Sequence, residues 1–376
     1  MPAIQRLAPE TLEQIVEQLH FSETKDGDRH STVLGYSLSD VSMILRVDRR
    51  WGAAAGAVLA RIVVHQDADG FTAWAAQVAC GTVKAERVRW LALPLVSFAA
   101  SGELAAANAI LAIIIGRCDQ LAVLETSVFR GAVGKRLADS LAGLSHLRVA
   151  AFRLLHSSAA PPSGDDTLTR CIDAVAASGR LQALDVAGRG FDGDGVRAGS
   201  DLLRLAASSA LVELSLSDIA GSVDLVAAYA QSLEQLKMLE LDLPEPDTGR
   251  QHIAPLRVLL AGVGPRLTYL RVWWNADDSD GVFGSAGELD FITESCPRLR
   301  VLHVNDARLF AMDRLIRLEH LIAAYVGLHD DDDDMGRFAV RLFELMSMRR
   351  LQYLELPPDV SEQDATWQSL RVRDAT

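Results

Sequence analysis

Paired cysteines are missing from this chain of 376 residues. Its four thiols, Cys80, Cys118, Cys171 and Cys296, lie far apart with no C-x-x-C spacing. Neither a disulfide framework nor a cysteine-ligated metal site is expected, and the thiols read as reduced and mostly buried in an intracellular protein. An excess of cationic residues is lacking too. Lys and Arg number 37 against 50 Asp and Glu, a net charge of −13. Nucleic acids and anionic membrane surfaces select cationic faces, so neither is expected as the main partner. No basic-then-apolar signal pattern opens the sequence. The most apolar run, residues 104–115, is too short to span a bilayer, carries Asn108, and reads as a buried helix. The expected location is the cytoplasm or nucleus. Catalytic signatures are absent as well: there is no G-x-S-x-G elbow, no Walker loop and no zinc-ligand spacing, and the scattered histidines pair with no nucleophile. The expectation is therefore no enzyme, no cofactor and no metal.

What the sequence does have is a repeated frame, apolar at positions 1, 4 and 6. It reads Leu267-Thr-Tyr-Leu270-Arg-Val272, and again Leu181-x-x-Leu184-x-Val186, Leu211-x-x-Leu214-x-Leu216, Leu236-x-x-Leu239-x-Leu241, Leu299-x-x-Leu302-x-Val304 and Leu351-x-x-Leu354-x-Leu356. Weaker copies start at Val88, Leu121, Leu147 and Leu318. The mean spacing is about 29 residues, at the long end of the leucine-rich-repeat range. Six extended residues make a short strand whose side chains alternate between two faces. Helical returns are expected over 168–177, 202–208, 223–233, 289–294 and 338–348. One such unit cannot bury its own apolar edge, but stacked neighbours can. The expected fold class is α/β: a leucine-rich-repeat solenoid of about ten irregular repeats over 66–376, with parallel strands inside and helices outside. A small all-α domain over 1–65 precedes it.

In that N-terminal stretch, Pro9 and Glu10 suit the first turn of a helix. Leu12, Ile15, Val16 and Leu19 follow as one apolar stripe. Residues 20–37 read as a loop. A second helix starts near Ser39, a suitable N-cap, and carries Val41, Ile44, Leu45 and Val47. An alanine-rich helix then runs to about Leu59.

The succession Leu7-Ala8-Pro9-Glu10-x-Leu12-x-x-Ile15, then Asp40-Val41-x-x-Ile44-x-x-Val47-Asp48-Arg49-Arg50-Trp51, resembles an F-box. That resemblance implies docking on the Skp-type adaptor of a cullin–RING ubiquitin ligase. It also implies that Leu7, Pro9, Leu12, Ile15, Leu19, Val41, Ile44, Val47 and Trp51 make or support the contact. Ala8 stands where the family often has proline, and Asp48 replaces its usual cysteine. Ser42 and Arg46 fall where leucine is common, and the loop between the helices is long. The repeats in turn resemble those of F-box proteins, most closely at Glu294-Ser-Cys296-Pro297-Arg-Leu299, which is similar to their cysteine-proline-x-leucine lead into a strand. Asn275 stands at the ninth position, where such repeats often keep an asparagine. Together these imply a substrate-recognition subunit. The alternative is a repeat scaffold outside any ligase, with the N-terminal helices serving as a cap.

Positions 3, 5 and 7 of each copy are expected on the concave face. Over the later copies that places Glu240, Asp242, Tyr269, Arg271, Trp273, His303, Asn305, His320, Tyr353 and Glu355 against a target protein. Tyr269, Arg271 and Trp273 are the sharpest candidates, because aromatic and arginine side chains are the usual anchors of interfaces. Trp274 has the opposite parity and is expected to be buried.

Two other features invite function and are set aside. Gly188-x-Gly190-x-x-Gly193 follows a strand, as a dinucleotide fingerprint does, but Asp192 and Asp194 would repel a pyrophosphate and the flanking frame repeats without glycines. Asp192-Gly-Asp194-Gly195 lacks the remaining ligands of a calcium loop. The Asp330–Asp334 run reads as a solvated loop of like charges.

Overall fold

The computed structural model describes residues 8–14, 49–64, 68–93, 109–128, 132–154, 167–177, 179–188, 210–217, 226, 233–243, 253–274, 290–304, 318, 323–326, 353–355 and 370–371. The chain forms two compact units, Met1–Asp185 and Val186–Thr376.

The first unit opens with a helical turn over 9–14, followed by α1 (Arg49–Leu59), β1 (Ile62–Val64) and α2 (Ala68–Ala79). Then come β2 (Trp90–Leu93), a helix over 109–115, β3 (Val123–Val128), α3 (Ala132–Leu141), β4 (Val149–Leu154), α4 (Thr167–Ala176) and β5 (Ala183–Gly188). The strands β1 to β4 pair in parallel in chain order, and β5 follows β4. The second unit carries β6 (Glu213–Ser217), β7 (Met238–Leu243), α5 (Ile253–Val263), β8 (Tyr269–Trp274), α6 (Phe291–Ser295), β9 (Val301–Val304), β10 (Ala323–Val326), β11 (Tyr353–Glu355) and β12 (Leu370–Arg371). It too is parallel in chain order, except that β12 runs antiparallel to β11. One parallel strand per leucine-rich frame is the expected repeat architecture.

The frame is the register. Position 4 of each copy lies opposite position 4 of the next: Leu91, Leu124 and Ala150 in one unit, Leu214, Leu239, Leu270 and Leu302 in the other. At positions 1, 4 and 6, every described residue of the copies from Val88 to Leu299 is buried. Each fully buried leucine contributes about 1.5–3 kcal/mol of transfer free energy. The backbone repeats the same join: the carbonyl of position 2 accepts N–H bonds from positions 2 and 3 of the following strand. Lys237 accepts in this way from Thr268 and Tyr269, and Thr268 from Arg300 and Val301.

The return helices show the matching pattern. In α2, Phe71, Trp74, Ala75 and Val78 are buried, and in α5, Leu256, Leu259, Leu260 and Val263 are. Both sets fall at i, i+3, i+4 and i+7, one face of a helix. Gly81 ends α2 at φ +74°, with Thr82 N–H bonded to the Gln77 carbonyl and Gly81 N–H to that of Val78. That pair of bonds is the Schellman arrangement, in which glycine adopts the left-handed conformation without strain.

The structure corrects two expectations about the sheet. Strand alternation predicts position 3 on the open face with positions 5 and 7, yet it is buried in β2 through β8: Trp90, Val123, Val149, Ala183, Glu213, Met238 and Tyr269. In the first unit these residues join Ala92 in an apolar cluster with Ile62 and Ala122 against it. The copy placed at Leu318 is also shifted. Ala323 pairs with Val301 and Tyr353, both at position 3, so the frame there is Leu321-x-x-Ala324-x-Val326. Leucines three residues apart fit either register, and the sheet selects the later one.

Candidate functional site

The N-terminal helices meet through a small apolar core. Leu12, 2% exposed, is buried with Ala54, Ala55 and Val58, and Trp51, Leu59 and Ile62 pack against them. An ion pair from Arg61 to Glu13 ties the same two segments. Ile62 also packs on the sheet cluster of Trp90, Val123, Val149 and Ala183, so this one side chain joins the helical core to the first strands. Of the residues assigned to an adaptor contact, Leu12 is committed to the internal core, Trp51 is half-buried at its margin, and Pro9 is exposed at the start of the first helix. Leu7, Ile15, Leu19, Val41, Ile44 and Val47 lie outside the described residues.

The candidate recognition face is built by β7, β8 and β9. Pairing places Ser215, Glu240, Arg271 and His303 in one row across four adjacent strands, with Ser217, Asp242 and Trp273 in a second row. Adjacent strands lie about 4.8 Å apart. Glu240, Arg271 and His303 are half-buried, while Trp273 is 40% exposed and is one of few large apolar side chains so open to solvent among the described residues. The Arg271 guanidinium lies over the Trp273 ring, 5.4 Å from its centre. This is the range in which the ring's negative face attracts a cation. Tyr269 is only 5% exposed, and its ring centre lies 5.5 Å from that of His303 at an interplanar angle of 41°. A tilted pair of this kind fixes the His303 ring from below. The face thus offers an aromatic anchor, a cation held in place by it, a carboxylate one strand away and an imidazole on the other side.

The row continues into β10 and β11, where the Leu351 frame keeps its expected register and the Leu318 frame does not. Tyr325 lies opposite His303 and Glu355, and Tyr353 lies opposite Ala323. The shifted frame puts Tyr325, not Ile322, in the row, and Ala323, not His320, at position 3. His320 and Asn305 lie outside the described residues, as do Asn275, Asp330–Asp334 and the expected helices over 202–208 and 338–348.

Burial pushes the Cys118 thiol from the ordinary 9.0 up to about 12, with the nearby Asp119 carboxylate adding to the effect. Burial alone takes Cys296 from 9.0 up to about 12. Neither thiol forms a thiolate near neutral pH, so neither has a nucleophile's properties. No cluster of three or more metal-ligating side chains occurs among the described residues, and no described helix is long and apolar enough to cross a membrane.

No protein-family model and no curated protein matches the chain. Among solved structures, a chain in the crystal structure of a TLR13–ssRNA13 complex is similar at 13% identity with a TM-score of 0.30. The likeness covers 68% of this chain and 35% of that one, so this chain spans about a third of the length of that neighbour. The functional reading rests on this chain's own residues.

Proposed function

We propose that this chain is a target-recruiting subunit of a cullin–RING ubiquitin ligase. Its N-terminal helices dock on a Skp-type adaptor, and the open face of β7–β9 holds a target protein. The observation that carries the recognition role is Trp273: a large apolar ring left exposed at the head of a polar row, with Arg271 stacked on it. Aromatic and arginine side chains held together on an open face are the usual energetic anchors of protein interfaces. The ligase role is supported by the resemblance of Leu7 to Trp51 to an F-box and by the exposure of Pro9 and Glu10 at the start of the first helix. Ubiquitin chemistry would belong to the partners.

A second reading is favoured by Ile62. Because that side chain packs both on the helical core and on the sheet cluster, the helices close the end of the repeat array, as terminal caps do in repeat proteins. The chain is then a protein-binding scaffold with no ligase partner. A pull-down of purified Skp-type adaptor with the full-length chain separates the two. Retention of the adaptor supports the ligase subunit, and failure to retain it leaves the scaffold.

A further inference from the structure

In the second unit the strands β6 to β11 all run in one direction. Their C-terminal ends therefore lie along one rim of the sheet, about 24 Å long at about 4.8 Å per strand. Charge is divided along the strand direction. The eight residues that follow each of these six strands hold 15 Asp and Glu against two Arg, a net charge of −13. The eight that precede each strand hold three Glu against seven Lys and Arg, a net charge of +4. The segments that leave the C-terminal rim thus carry as much negative charge as the whole chain. A helix N-terminus after every strand, at about +0.5 each, would offset only about +3 of it.

The recognition face opens beside that rim. Trp273 is the last residue but one of β8, and Asp277, Asp278 and Asp280 follow it in sequence. Asp242 is the register partner of Trp273 on β7. The other charged side chains of the face are already engaged: Glu240, Arg271 and His303 each have an interaction within the protein. Glu240 and Arg271 also cancel in the sum, so the face itself favours neither sign of partner. The rim does favour one. Fixed charge within a Debye length, about 10 Å at 0.1 M salt, still acts at the Trp273 row.

We infer that the recognition face takes a basic polypeptide segment, rich in arginine or lysine, anchored at Trp273 and drawn in by the acidic rim. Trp273 is 40% exposed, and a guanidinium or the alkyl stem of a lysine packs on such a ring. An extended segment crossing the strands presents same-side residues about every 7 Å, so about three of them fit along the rim of about 24 Å. Arginine adds a planar fork that matches a carboxylate in two-point geometry. Acidic segments, nucleic acids and anionic bilayers are repelled by the same field. The inference rests on the reading of β7–β9 as a recognition face and adds the class of target. It does not depend on a ligase partner.

The test is fluorescence anisotropy with the full-length protein and a labelled ten-residue peptide of alternating Arg and Ser. Saturable binding is expected, weakening by about tenfold between about 50 mM and about 200 mM salt. Trp273→Ala should bind about fivefold more weakly, and so should the rim variant Asp277→Asn/Asp278→Asn/Asp280→Asn. The exposed first-unit carboxylates provide the control: Glu86→Gln/Asp119→Asn/Asp139→Asn should bind as the parent does. Should Trp273→Ala misfold by circular dichroism, the rim variant decides. The inference is overturned by absence of saturable binding, by undiminished binding in Trp273→Ala or in the rim variant, by an equal loss in the first-unit variant, or by tighter binding of a peptide of alternating Glu and Ser. Its failure is distinct from that of the recognition face. If Trp273→Ala loses partners in cells while the Arg–Ser peptide does not bind, the face recognises a target of another chemistry and only the basic class falls.

Discussion

Arg271 stacks on Trp273 two residues further along the same strand, its guanidinium carbon 5.4 Å from the ring centre. Strand alternation puts both side chains on one face, so each limits the freedom of the other before any partner arrives. A side chain already held in place loses less entropy on binding.

Stability and recognition should therefore separate between Trp273 and Tyr269. Trp273→Ala removes a ring that is 40% exposed, and its effect on unfolding free energy should stay below about 1 kcal/mol. Tyr269→Ala removes a ring that is 5% exposed and packed on His303, and should cost about 3 kcal/mol or more. Denaturant melts check the stabilities, and proximity labelling in cells checks recognition. The set of labelled proteins should shrink for Trp273→Ala at unchanged abundance. A large stability loss for Trp273→Ala would make it a core residue and remove the basis of the recognition face.

Two glycines should respond oppositely to the same substitution. A Cβ on Gly264 would come within 2.6 Å of the Ser295 carbonyl oxygen and 3.0 Å of the Cys296 Sγ, where the turn after α5 meets the end of α6. Because the oxygen is backbone, relief requires movement of the helix end, and Gly264→Ala should cost about 1–3 kcal/mol. Gly56 lies within α1, and a methyl group added there would meet nothing within 4 Å, so Gly56→Ala should stabilise by about 0.4–1 kcal/mol. Thermal denaturation of the two variants side by side gives the comparison, and a neutral Gly264→Ala would contradict the close approach.

How much of this is legible in the sequence depends on which force sets each feature. The leucine frame predicts the strands because burial at positions 1, 4 and 6 is nearly all-or-none, and Leu270 and Val272 sit where the spacing puts them. Position 3 is misread because alternation assigns a face but not what covers it. Trp90, Val123 and Val149 lie on the face opposite the leucines and are buried all the same. The expected returns leave out α2, α3 and α5: in α2 alanine fills five of twelve positions and blurs the periodicity of Phe71, and in α5 the exposed Val258 lies off the buried stripe from Leu256 to Val263, so apolar residues are not confined to one face. The shifted β10 frame comes from Leu318 and Leu321, which satisfy two registers equally in sequence. At the recognition face, Arg271 and Trp273 are legible as chemistry, but their stacking and the His303–Tyr269 pair depend on the folded sheet and its register.

Thiol reactivity should divide along burial. Cys80 is exposed, whereas Cys118, Cys171 and Cys296 are buried. At pH 8 a disulfide reagent should label Cys80 rapidly and the other three only after denaturant is added. The raised thiols also link stability to alkaline pH. Cys118 and Cys296 have folded values of about 12 against an ordinary 9.0, so above pH 9 the unfolded chain releases protons that the folded chain keeps. Their contribution is fully present below about pH 9 and is lost progressively as pH rises toward about 12. Cys296→Ser should flatten part of that alkaline slope in urea melts taken at successive pH values, whereas an unchanged slope would mean other groups set it.

The adaptor question turns on choosing a residue that can be changed without unfolding the helices. Leu12 is unsuitable, because at 2% exposure it holds the first helix to Ala54, Ala55 and Val58. Leu12→Asp should destroy that core at a cost of roughly 3–5 kcal/mol, so a loss of adaptor retention in that variant would report unfolding and not a lost contact. Pro9 is exposed at the start of its helix, and an aspartate there is compatible with the positive end of the helix dipole. Pro9→Asp should therefore keep the melting temperature of the parent while placing a charge in an apolar adaptor contact. If the ligase reading is correct, the parent retains the Skp-type adaptor and Pro9→Asp loses at least tenfold in affinity, or about 1.4 kcal/mol. If the helices serve only to cap the sheet through Ile62, neither protein retains the adaptor, and truncating the first helix lowers stability without any change in partner binding.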